Sequence, residues 1–365
     1  MNKIRICAAA LAAALLFACV PSAAAVDAPA LSARRAVLLD AGSGRVLYEK
    51  NADERSLIAS TTKIMTGLLV CEYSYLEEEI CVPSDAVGVE GSSMYLKAGE
   101  QVTLRALLYG MMLRSGNDAA LALAIHFAGS PDAFAARMNA RARALGLRET
   151  HFANPHGLDS EQNYSTARDL ALLTRAAMQN ETFREVVSTK SVTVANRCLT
   201  NHNKLLWRYD GAIGVKTGYT KKAGRILVSA AERDGRTLIA VTIDDPDDWR
   251  DHARLLDYGF SQYTQKTVVE ANQTVVQVRV TCGEAASVAL VTREALCYPA
   301  MPDERAQLRL RVPVFVRAPV FDEQAGTLEL VVDGEPVACV PVYYAHAVAA
   351  KQKEKAGLLE RLFGG

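Results

Sequence analysis

The segment Ile58-Ala-Ser-Thr-Thr-Lys-Ile-Met-Thr-Gly-Leu-Leu-Val70 places a hydroxyl and an amine three residues apart at the start of an apolar run. Residues three apart are neighbours on a helix surface, so we expect the Ser60 hydroxyl and the Lys63 amine to meet on one face. The apolar residues that follow predict a helix buried in a core: Ile64, Met65, Leu68, Leu69 and Val70. A serine needs an adjacent base to become a nucleophile, and an amine serves as that base only when burial or another cation lowers its pKa. The pattern Ser-x-x-Lys alone also fits a serine that caps a helix and a lysine on its surface. The segment therefore predicts a catalytic site only if other parts of the chain supply further catalytic residues.

The composition describes a globular chain without a dominant charge. Half of the 365 residues are hydrophobic, which is enough for a sizeable core and predicts two domains. The 41 Lys and Arg residues balance the 41 Asp and Glu residues, so no net field points to a nucleic acid or to a strongly acidic partner.

The N-terminus has the pattern of a secretory signal peptide. Lys3 and Arg5 precede an almost wholly apolar run over residues 6–20, and small residues follow as far as Ala25. The run is too short for a spanning helix, so we predict a signal peptide at residues 1–25 and an exported mature protein. The alternative is a lipoprotein signal at Cys19, which the bulky Phe17 disfavours.

Six cysteines follow the signal segment: Cys71, Cys81, Cys198, Cys282, Cys297 and Cys339. No pair has Cys-x-x-Cys spacing, and export permits disulfides without requiring them. A bridge between Cys71 and Cys81 and one pair among the last three are candidates, with buried free thiols as the alternative. We predict no metal and no cofactor.

Residues 26–262 have predicted strands at both ends and helices between them. Strands are expected at 36–40, 45–49, 225–231 and 237–243. The helices include a segment within 99–114 capped by Thr103, alanine-rich helices at 119–127 and 133–145, and a capped helix that starts near Ser165. This order predicts an α+β domain whose terminal segments join in one sheet.

The C-terminal third has a different pattern of short strands separated by turn residues. The strands are predicted at 274–280, 286–291, 306–315, 327–332 and 337–344, which indicates a small all-β domain over 263–345 without a chemical motif. In residues 346–365, three lysines precede an apolar stripe of leucines and Phe363. An amphipathic helix resting on a membrane surface fits this segment, and a frayed charged tail is the alternative.

Two further motifs supply partners for the serine and the lysine, and both lie at predicted element junctions. In Ser115-Gly-Asn117, the Ser115 hydroxyl can relay a proton and the Asn117 amide can bind a substrate carbonyl.

The second motif is Lys216-Thr-Gly218. Lys216 offers a cation for a substrate carboxylate and lowers the pKa of Lys63 by repulsion, while Thr217 adds a hydroxyl donor. Gly218 lacks a Cβ, so we expect a substrate backbone to lie against the strand edge there.

These residues resemble the low-molecular-mass penicillin-binding proteins, the serine D-alanyl-D-alanine carboxypeptidases, over about residues 34–260. The resemblance is carried by the segments Ala59-Ser-Thr-Thr-Lys-Ile-Met-Thr66, Ser115-Gly-Asn-Asp-Ala-Ala120, Asn154-Pro-His-Gly-Leu-Asp159, Tyr164-Ser-Thr-Ala-Arg-Asp-Leu170, Asn201-His-Asn-Lys-Leu205 and Gly214-Val-Lys-Thr-Gly-Tyr-Thr-Lys-Lys-Ala-Gly224. It implies a β-lactamase/DD-peptidase-like domain, with an antiparallel sheet, helices on both faces and a helical subdomain, followed by the all-β domain and the membrane-associating tail.

The resemblance also implies a mechanism. Ser60, deprotonated by Lys63, would attack the bond between two terminal D-alanines of a peptidoglycan stem peptide, and β-lactams would acylate the same serine. The backbone NH groups of Ser60 and Tyr219 would form the oxyanion hole. Ser115 would pass the proton to the departing D-alanine, and water would release the acyl group. The enzyme would act outside the cytoplasmic membrane, at its outer face or in the wall.

The sequence departs from the family pattern where an arginine that helps bind the substrate carboxylate is often found. The matching segment is Asp244-Asp-Pro-Asp-Asp-Trp-Arg250, so Arg250 is the candidate, among aspartates that either repel substrate or cap a turn. His156 and His202 lie in family-like loops and are predicted to be structural.

Two other functions stay open. One is a β-lactamase, or a transpeptidase or endopeptidase, of the same fold, although no segment resembles the glutamate-bearing loop of class A β-lactamases. The other is a non-catalytic protein that binds the wall or penicillin.

Overall fold

The computed structural model describes residues 28–73, 75–302 and 304–351. The chain divides into two compact units between Tyr263 and Thr264. The predicted signal peptide, at residues 1–25, lies outside the described residues, as do residues 352–365 of the predicted tail.

The first unit contains the strands β1 Arg35–Asp40, β2 Val46–Lys50, β3 Ser56–Leu57, β4 Glu79–Cys81, β5 Gln101–Thr103, β6 Tyr164–Ser165, β7 Ser191–Val194, β8 Arg197–Thr200, β9 Ala212–Thr220, β10 Gly224–Arg233 and β11 Arg236–Ile243. Its helices are α1 Lys63–Cys71, α2 Leu104–Leu113, α3 Asn117–Ala128, α4 Pro131–Ala144, α5 Ala167–Met178, α6 Glu181–Ser188, α7 Leu205–Arg208 and α8 Asp248–Gln262. The helix caps follow the sequence: the Thr103 hydroxyl accepts a hydrogen bond from the Ala106 amide at the start of α2.

A five-stranded antiparallel sheet joins the two ends of this unit in the order β2-β1-β11-β10-β9. The first strand pairs along its whole length with β11, from Arg35 opposite Ile243 to Asp40 opposite Leu238. Successive side chains of a strand point to opposite faces, and here both faces are buried. Val241 belongs to the core shared with the helices, whereas Thr242 contacts His252 of α8 on the other face.

The second unit consists of strands: β12 Thr264–Val269, β13 Thr274–Thr281, β14 Ser287–Thr292, β15 Leu296–Ala300, β16 Ala306–Arg311, β17 Phe315–Arg317, β18 Gln324–Val332 and β19 Glu335–Tyr344. Six of them form one sheet in the order β16-β18-β19-β14-β13-β17, and β12 pairs with β15. The strand predicted over 306–315 is two strands, because Pro313 cannot donate to a ladder and interrupts it. The predicted α+β domain followed by an all-β domain is confirmed.

The described beginning of the predicted tail differs from the expected helix. Val348 forms a β-bridge with Val320, and Ala350 forms one with Gly283, so these residues extend the β-rich unit.

The six cysteines after the signal segment are all free in the structure, including the candidate pair Cys71 and Cys81. Within the described ranges, no single helix is long and apolar enough to cross a membrane; α3 and α4 meet the length and composition limits only as a pair bent by 84°.

Candidate active site

Ser60 lies in a 3-10 helix, Ala59–Thr62, and Lys63 begins α1 directly after it. Ser60 and Lys63 are therefore neighbours as expected, but they lie in two successive helices of different type. The Lys63 Nζ atom lies 3.0 Å from the Ser60 Oγ atom. The Lys63 side chain is fully buried, whereas Ser60 is only partly buried, so the hydroxyl is reachable and the amine is shielded from water.

Lys63 has three hydrogen-bond partners. Its Nζ atom donates to the Asn117 Oδ1 atom at 2.7 Å and to the backbone carbonyl of His156, both of which only accept. A neutral amine has two N–H groups and one lone pair, so these two acceptors leave the lone pair for the Ser60 hydroxyl. Burial, followed by the charge of Lys216, lowers the Lys63 pKa well below its ordinary value, against an opposing contribution from Asp118.

The Ser115-Gly-Asn117 segment links two walls of the site. Ser115, with a φ of 62° in the left-handed region, accepts a hydrogen bond from the Lys216 Nζ atom at 3.1 Å. The amide of Asn117 is fixed from its other end, because its Nδ2 atom donates to the Glu90 carbonyl at 2.6 Å. The next residue, Asp118, holds the loop over the site by accepting the Met94 and Leu96 amides.

Lys216 and Thr217 lie on β9, one of the two edge strands of the sheet. Lys216 is almost fully buried, and burial lowers its pKa to about 7. Its Nζ atom also donates to the backbone carbonyl of Thr217 at 2.8 Å. Lys63 is thus bonded to Ser60 and Asn117, and Lys216 to Ser115; among the described residues, neither buried amine forms an ion pair with a carboxylate.

Gly218 allows β9 to pack against the Ser60 turn. A Cβ atom at Gly218 would lie 3.3 Å from the Ile58 carbonyl and 3.4 Å from the Ala59 Cβ atom. The missing Cβ of Gly218 thus makes room for the chain at Ile58 and Ala59, and Gly218 also lines the cavity beside Ser60. The requirement for glycine is stronger at Gly157, because its φ is 91° and a Cβ atom there would lie 1.9 Å from the Ala59 carbonyl oxygen.

A cavity of about 330 Å³ opens beside these residues. Of the predicted residues, it is lined by Ser60, Ser115, Thr217, Gly218 and Tyr219. The lining also contains residues that the sequence did not single out for the site: Ser92, His202, Lys204, Arg225, Ile226, Asp248 and Trp249.

Arg225 is the arginine at this cavity. Its strand position lies opposite Tyr219 in the β9–β10 pair, and two of its nitrogens bind Asp248 at 2.8 to 3.1 Å. Its guanidinium carbon lies 6.0 Å from the centre of the Trp249 ring. The register of a tight antiparallel hairpin places residues 219 and 225 across from each other, which is the signal that could have identified Arg225.

The structure does not bring Arg250 into the cavity lining. Arg250 forms an ion pair with Asp247, and its side chain is 63% exposed. The neighbouring aspartates are also engaged: Asp245 accepts from Ser32 and from the Asp247 amide.

The two histidines are held in the uncharged form. Burial, and then the Lys63 charge, lowers the His156 pKa to about 4. Burial, followed by Lys216 and Arg114, lowers the His202 pKa to about 4. Within the described residues, no group of three or more His, Cys, Asp or Glu side chains could hold a metal ion.

A reachable serine hydroxyl beside a buried lysine amine of lowered pKa, at the edge strand of an α+β domain, is the arrangement of a serine acyl-transfer enzyme. The chain belongs to the D-alanyl-D-alanine carboxypeptidase family, whose model matches residues 22–247. A second family, described as penicillin-binding protein 5, C-terminal domain, matches residues 263–350. The predicted family and the predicted activity, a serine-type D-alanyl-D-alanine carboxypeptidase, are confirmed.

The similarity extends over most of the chain. It is 34% identical to D-alanyl-D-alanine carboxypeptidase DacF of Bacillus subtilis, over 90% of this chain and 87% of the relative. It is 37% identical to DacC of Escherichia coli, over 77% and 76% of the two chains. Among solved structures, penicillin binding protein 5 from Haemophilus influenzae matches with a TM-score of 0.79 and 29% identity, over 89% of this chain and 99% of that chain. The Streptomyces K15 DD-transpeptidase matches with a TM-score of 0.62 and 38% identity, over 65% of this chain and 100% of that chain.

Proposed function

We propose that Ser60 is the nucleophile and Lys63 its general base. The observation that carries this assignment is the 3.0 Å contact between Lys63 Nζ and Ser60 Oγ, made by an amine whose other two partners only accept hydrogen bonds. Lys63 takes the hydroxyl proton as the Ser60 oxygen attacks the carbonyl carbon of the penultimate D-alanine. The backbone NH groups of Ser60 and Tyr219 bind the oxygen that becomes negative.

Breakdown of the tetrahedral intermediate cleaves the C–N bond and needs a proton on the departing amine. Ser115 supplies the route, because its hydroxyl is bonded to Lys216 and lines the same cavity as Ser60. D-alanine leaves with that proton, and Ser60 holds the shortened peptide as an ester. Water then attacks the ester, and the serine regains its hydrogen. Asn117 holds Lys63 in place and offers its amide to the substrate.

The terminal carboxylate of the substrate requires cations and hydroxyls at one end of the cavity. Lys216 and Thr217 provide them on β9. Arg225 takes the role that the sequence gave to Arg250, because Arg225 lines the cavity and its Nε and Nη2 atoms are steadied by Asp248. The guanidinium can then bind a carboxylate with its remaining N–H groups.

The substrate is a peptidoglycan stem peptide that ends in D-alanyl-D-alanine, and β-lactams acylate the same serine. The relatives that carry the family name support this assignment. Residues 1–25 act as the export signal, and residues 352–365, the rest of the predicted tail, attach the mature protein to the outer face of the cytoplasmic membrane.

Substitution of the nucleophile tests the assignment of the site. Ser60→Ala should abolish covalent labelling by a fluorescent penicillin and the release of D-alanine from a stem pentapeptide. Ser92→Ala, at another serine of the same cavity, is the matched control and should still be labelled. Labelling of the Ser60→Ala protein would refute the assignment.

The attachment has a separate test. Truncation after Lys351 keeps the bridges of Val348 and Ala350 and removes the apolar end of the tail. We expect the truncated mature protein to leave the membrane fraction, and its retention there would point to a lipid on Cys19.

A transpeptidase is the second candidate, because the Streptomyces relative is named a DD-transpeptidase. The two differ in what removes the acyl group, water or an amine. Adding a peptide with a free amino group to the D-alanine assay separates them. A carboxypeptidase yields the tetrapeptide as its main product, whereas a transpeptidase yields the amide adduct. Rapid turnover of nitrocefin without D-alanine release would instead identify a β-lactamase.

A further inference from the structure

A groove of about 620 Å³ lies next to the turn that follows β9 and is larger than the cavity at Ser60. Its walls come from Arg55 before the Ser60 turn, from the loop at Asp159 and Glu161, from Tyr164, and from Lys222 in the β9–β10 turn. None of these residues has a role in the chemistry described above.

The groove is built on rigid elements next to Ser60. Leu57 pairs with Tyr164 in the β3–β6 ladder, three residues before Ser60. The Asp159 carboxylate accepts a hydrogen bond from Thr220 at 2.8 Å, which ties the loop to the residue after Tyr219.

The part of the substrate upstream of the scissile bond extends toward this groove. The proposed mechanism holds the terminal carboxylate at Thr217 and the reacting carbonyl at the Tyr219 amide. The peptide upstream of the scissile bond therefore runs along the strand edge past Thr220 toward the turn that contains Lys222. One extended residue covers about 3.4 Å, so the residue next to the penultimate D-alanine reaches this turn with its side chain.

The charged side chains of the groove are Arg55, Asp159, Glu161 and Lys222, and the first two are engaged by other residues. Arg55 is already engaged, because it binds Glu149 at 2.5 Å and lies 4.8 Å from the centre of the Tyr164 ring. Lys222 and Glu161 are exposed, and neither forms an ion pair with another residue in the part of the chain that the structure describes. The groove thus presents a free ammonium and a free carboxylate that do not neutralise each other.

We infer that this groove is a subsite for the stem residue next to the D-alanyl-D-alanine, and that it selects a side chain ending in both an ammonium and a carboxylate group. Lys222 binds the carboxylate and Glu161 the ammonium, while Leu57 forms an apolar wall for the methylene chain. This inference rests on the proposed function, since the mechanism fixes the direction of the peptide.

Three synthetic pentapeptides test the subsite with the full mature enzyme. They have the sequence L-Ala-γ-D-Glu-X-D-Ala-D-Ala, where X is meso-diaminopimelate, L-lysine or L-norleucine. The first side chain carries both charges, the second only the ammonium, and the third none. We expect kcat/KM for D-alanine release to fall in that order, by about threefold to fivefold at each step, because exposed ion pairs contribute little.

Two variants separate the two charges. Lys222→Met should reduce the preference for diaminopimelate over lysine to about one. Glu161→Gln should instead reduce the preference for lysine over norleucine. The matched control is Lys221→Met, an exposed neighbour outside the groove lining, which should keep both preferences. Each preference is a ratio of two kcat/KM values measured on one protein. Partial misfolding of a variant lowers both values by the same factor and leaves the ratio unchanged.

The outcomes distinguish the subsite from the proposed function. Equal kcat/KM for the three peptides in the unmodified enzyme, or equal effects of Lys221→Met and Lys222→Met, would overturn the subsite and leave the carboxypeptidase assignment intact. No D-alanine from any peptide, together with no penicillin labelling, would overturn the proposed function itself.

Discussion

Two buried polar clusters lie within the first unit, which contains Ser60 and ends at Tyr263 and is called the catalytic unit below, and only one of the two has the properties of an active site. In the first, Lys63 contacts Ser60 and Asn117. In the second, His252 of α8 contacts Ser229 at 2.6 Å through its Nδ1 atom and Thr242 at 2.9 Å through its Nε2 atom. Both contain a serine beside a nitrogen base whose pKa is lowered by burial.

Access to solvent separates the two clusters. Ser229, Thr242 and His252 are all 0% exposed, so no substrate reaches the second serine. Ser60 is partly exposed and lines a cavity. The imidazole is also fully satisfied, since two hydroxyls that can each donate or accept meet its two nitrogens. A perturbed pKa therefore indicates chemistry only where the base faces a reachable nucleophile.

The largest expected effect follows from removal of the catalytic amine. Lys63→Met should lower the rate of penicillin acylation by about 10²- to 10⁴-fold, the usual contribution of a general base. Lys63 accepts the proton only when neutral, so acylation by the unmodified enzyme should decrease as the pH falls through the lowered pKa of Lys63. Stopped-flow acylation across pH measures both effects. If the variant no longer shows the decrease at low pH, Lys63 acts as a base and not only as a structural residue. An unchanged acylation rate in the variant would refute the role of Lys63 as the base.

The second cluster should affect stability rather than activity, in a pH window that overlaps those of His156 and His202. Burial lowers the His252 pKa to about 3, against an opposing effect of Asp251, and the unfolded value is about 6.5. Between those values the unfolded chain binds a proton that the folded chain does not, so stability is lost as the pH falls from 6.5 to about 3. The loss is about 1.4 kcal/mol for each unit of pKa difference.

His252→Gln removes this titration while keeping a polar group, so its stability should depend less on pH in that window. Urea unfolding at pH 7 and pH 4 measures the difference. The chain has two tryptophans, Trp207 and Trp249, and both lie in the catalytic unit, so their fluorescence follows this unit. Equal pH dependence in the two proteins would show that His252 is not the group responsible.

The two arginines near the site provide a matched pair of substitutions. Arg225→Met should lower kcat/KM for a D-alanyl-D-alanine peptide by about tenfold, because one hydrogen-bonded charge contact is lost. The loss should disappear with a substrate whose terminal carboxylate is converted to an amide. Arg250→Met changes an exposed residue paired with Asp247 and should leave kcat/KM unchanged for both substrates. The opposite result, with only the Arg250 variant impaired, would restore Arg250 as the carboxylate ligand.

The first cluster was largely predictable from sequence, and the second was not. The contact between Ser60 and Lys63 spans three residues, and local geometry fixes it even across the change from 3-10 helix to α-helix. The individual strands and the Thr103 cap also follow from local patterns, and the order of the elements predicts that the terminal strands share one sheet.

Contacts that depend on strand register or on helix docking were missed. The partners Arg225 and Asp248 are 23 residues apart, on β10 and at the start of α8, and their meeting depends on how α8 packs on the sheet. Ser229 and His252 have the same separation and the same cause. The close packing of Gly218 against Ile58 and Ala59 was also missed, because it depends on where the sheet places β9.

The smallest effect on activity is expected for the serine of the second cluster, whose loss should change only stability. Ser229→Ala removes one hydroxyl and leaves a buried nitrogen of His252 without that partner, which should cost about 1 to 3 kcal/mol in the free energy of unfolding. Penicillin acylation should not change, because Ser229 is fully buried and lies on the sheet face that packs against α8. Urea unfolding followed by tryptophan fluorescence, with acylation measured on the same sample, tests both parts. A variant that kept full stability but lost acylation would reverse the comparison, since it would make the buried serine part of the chemistry.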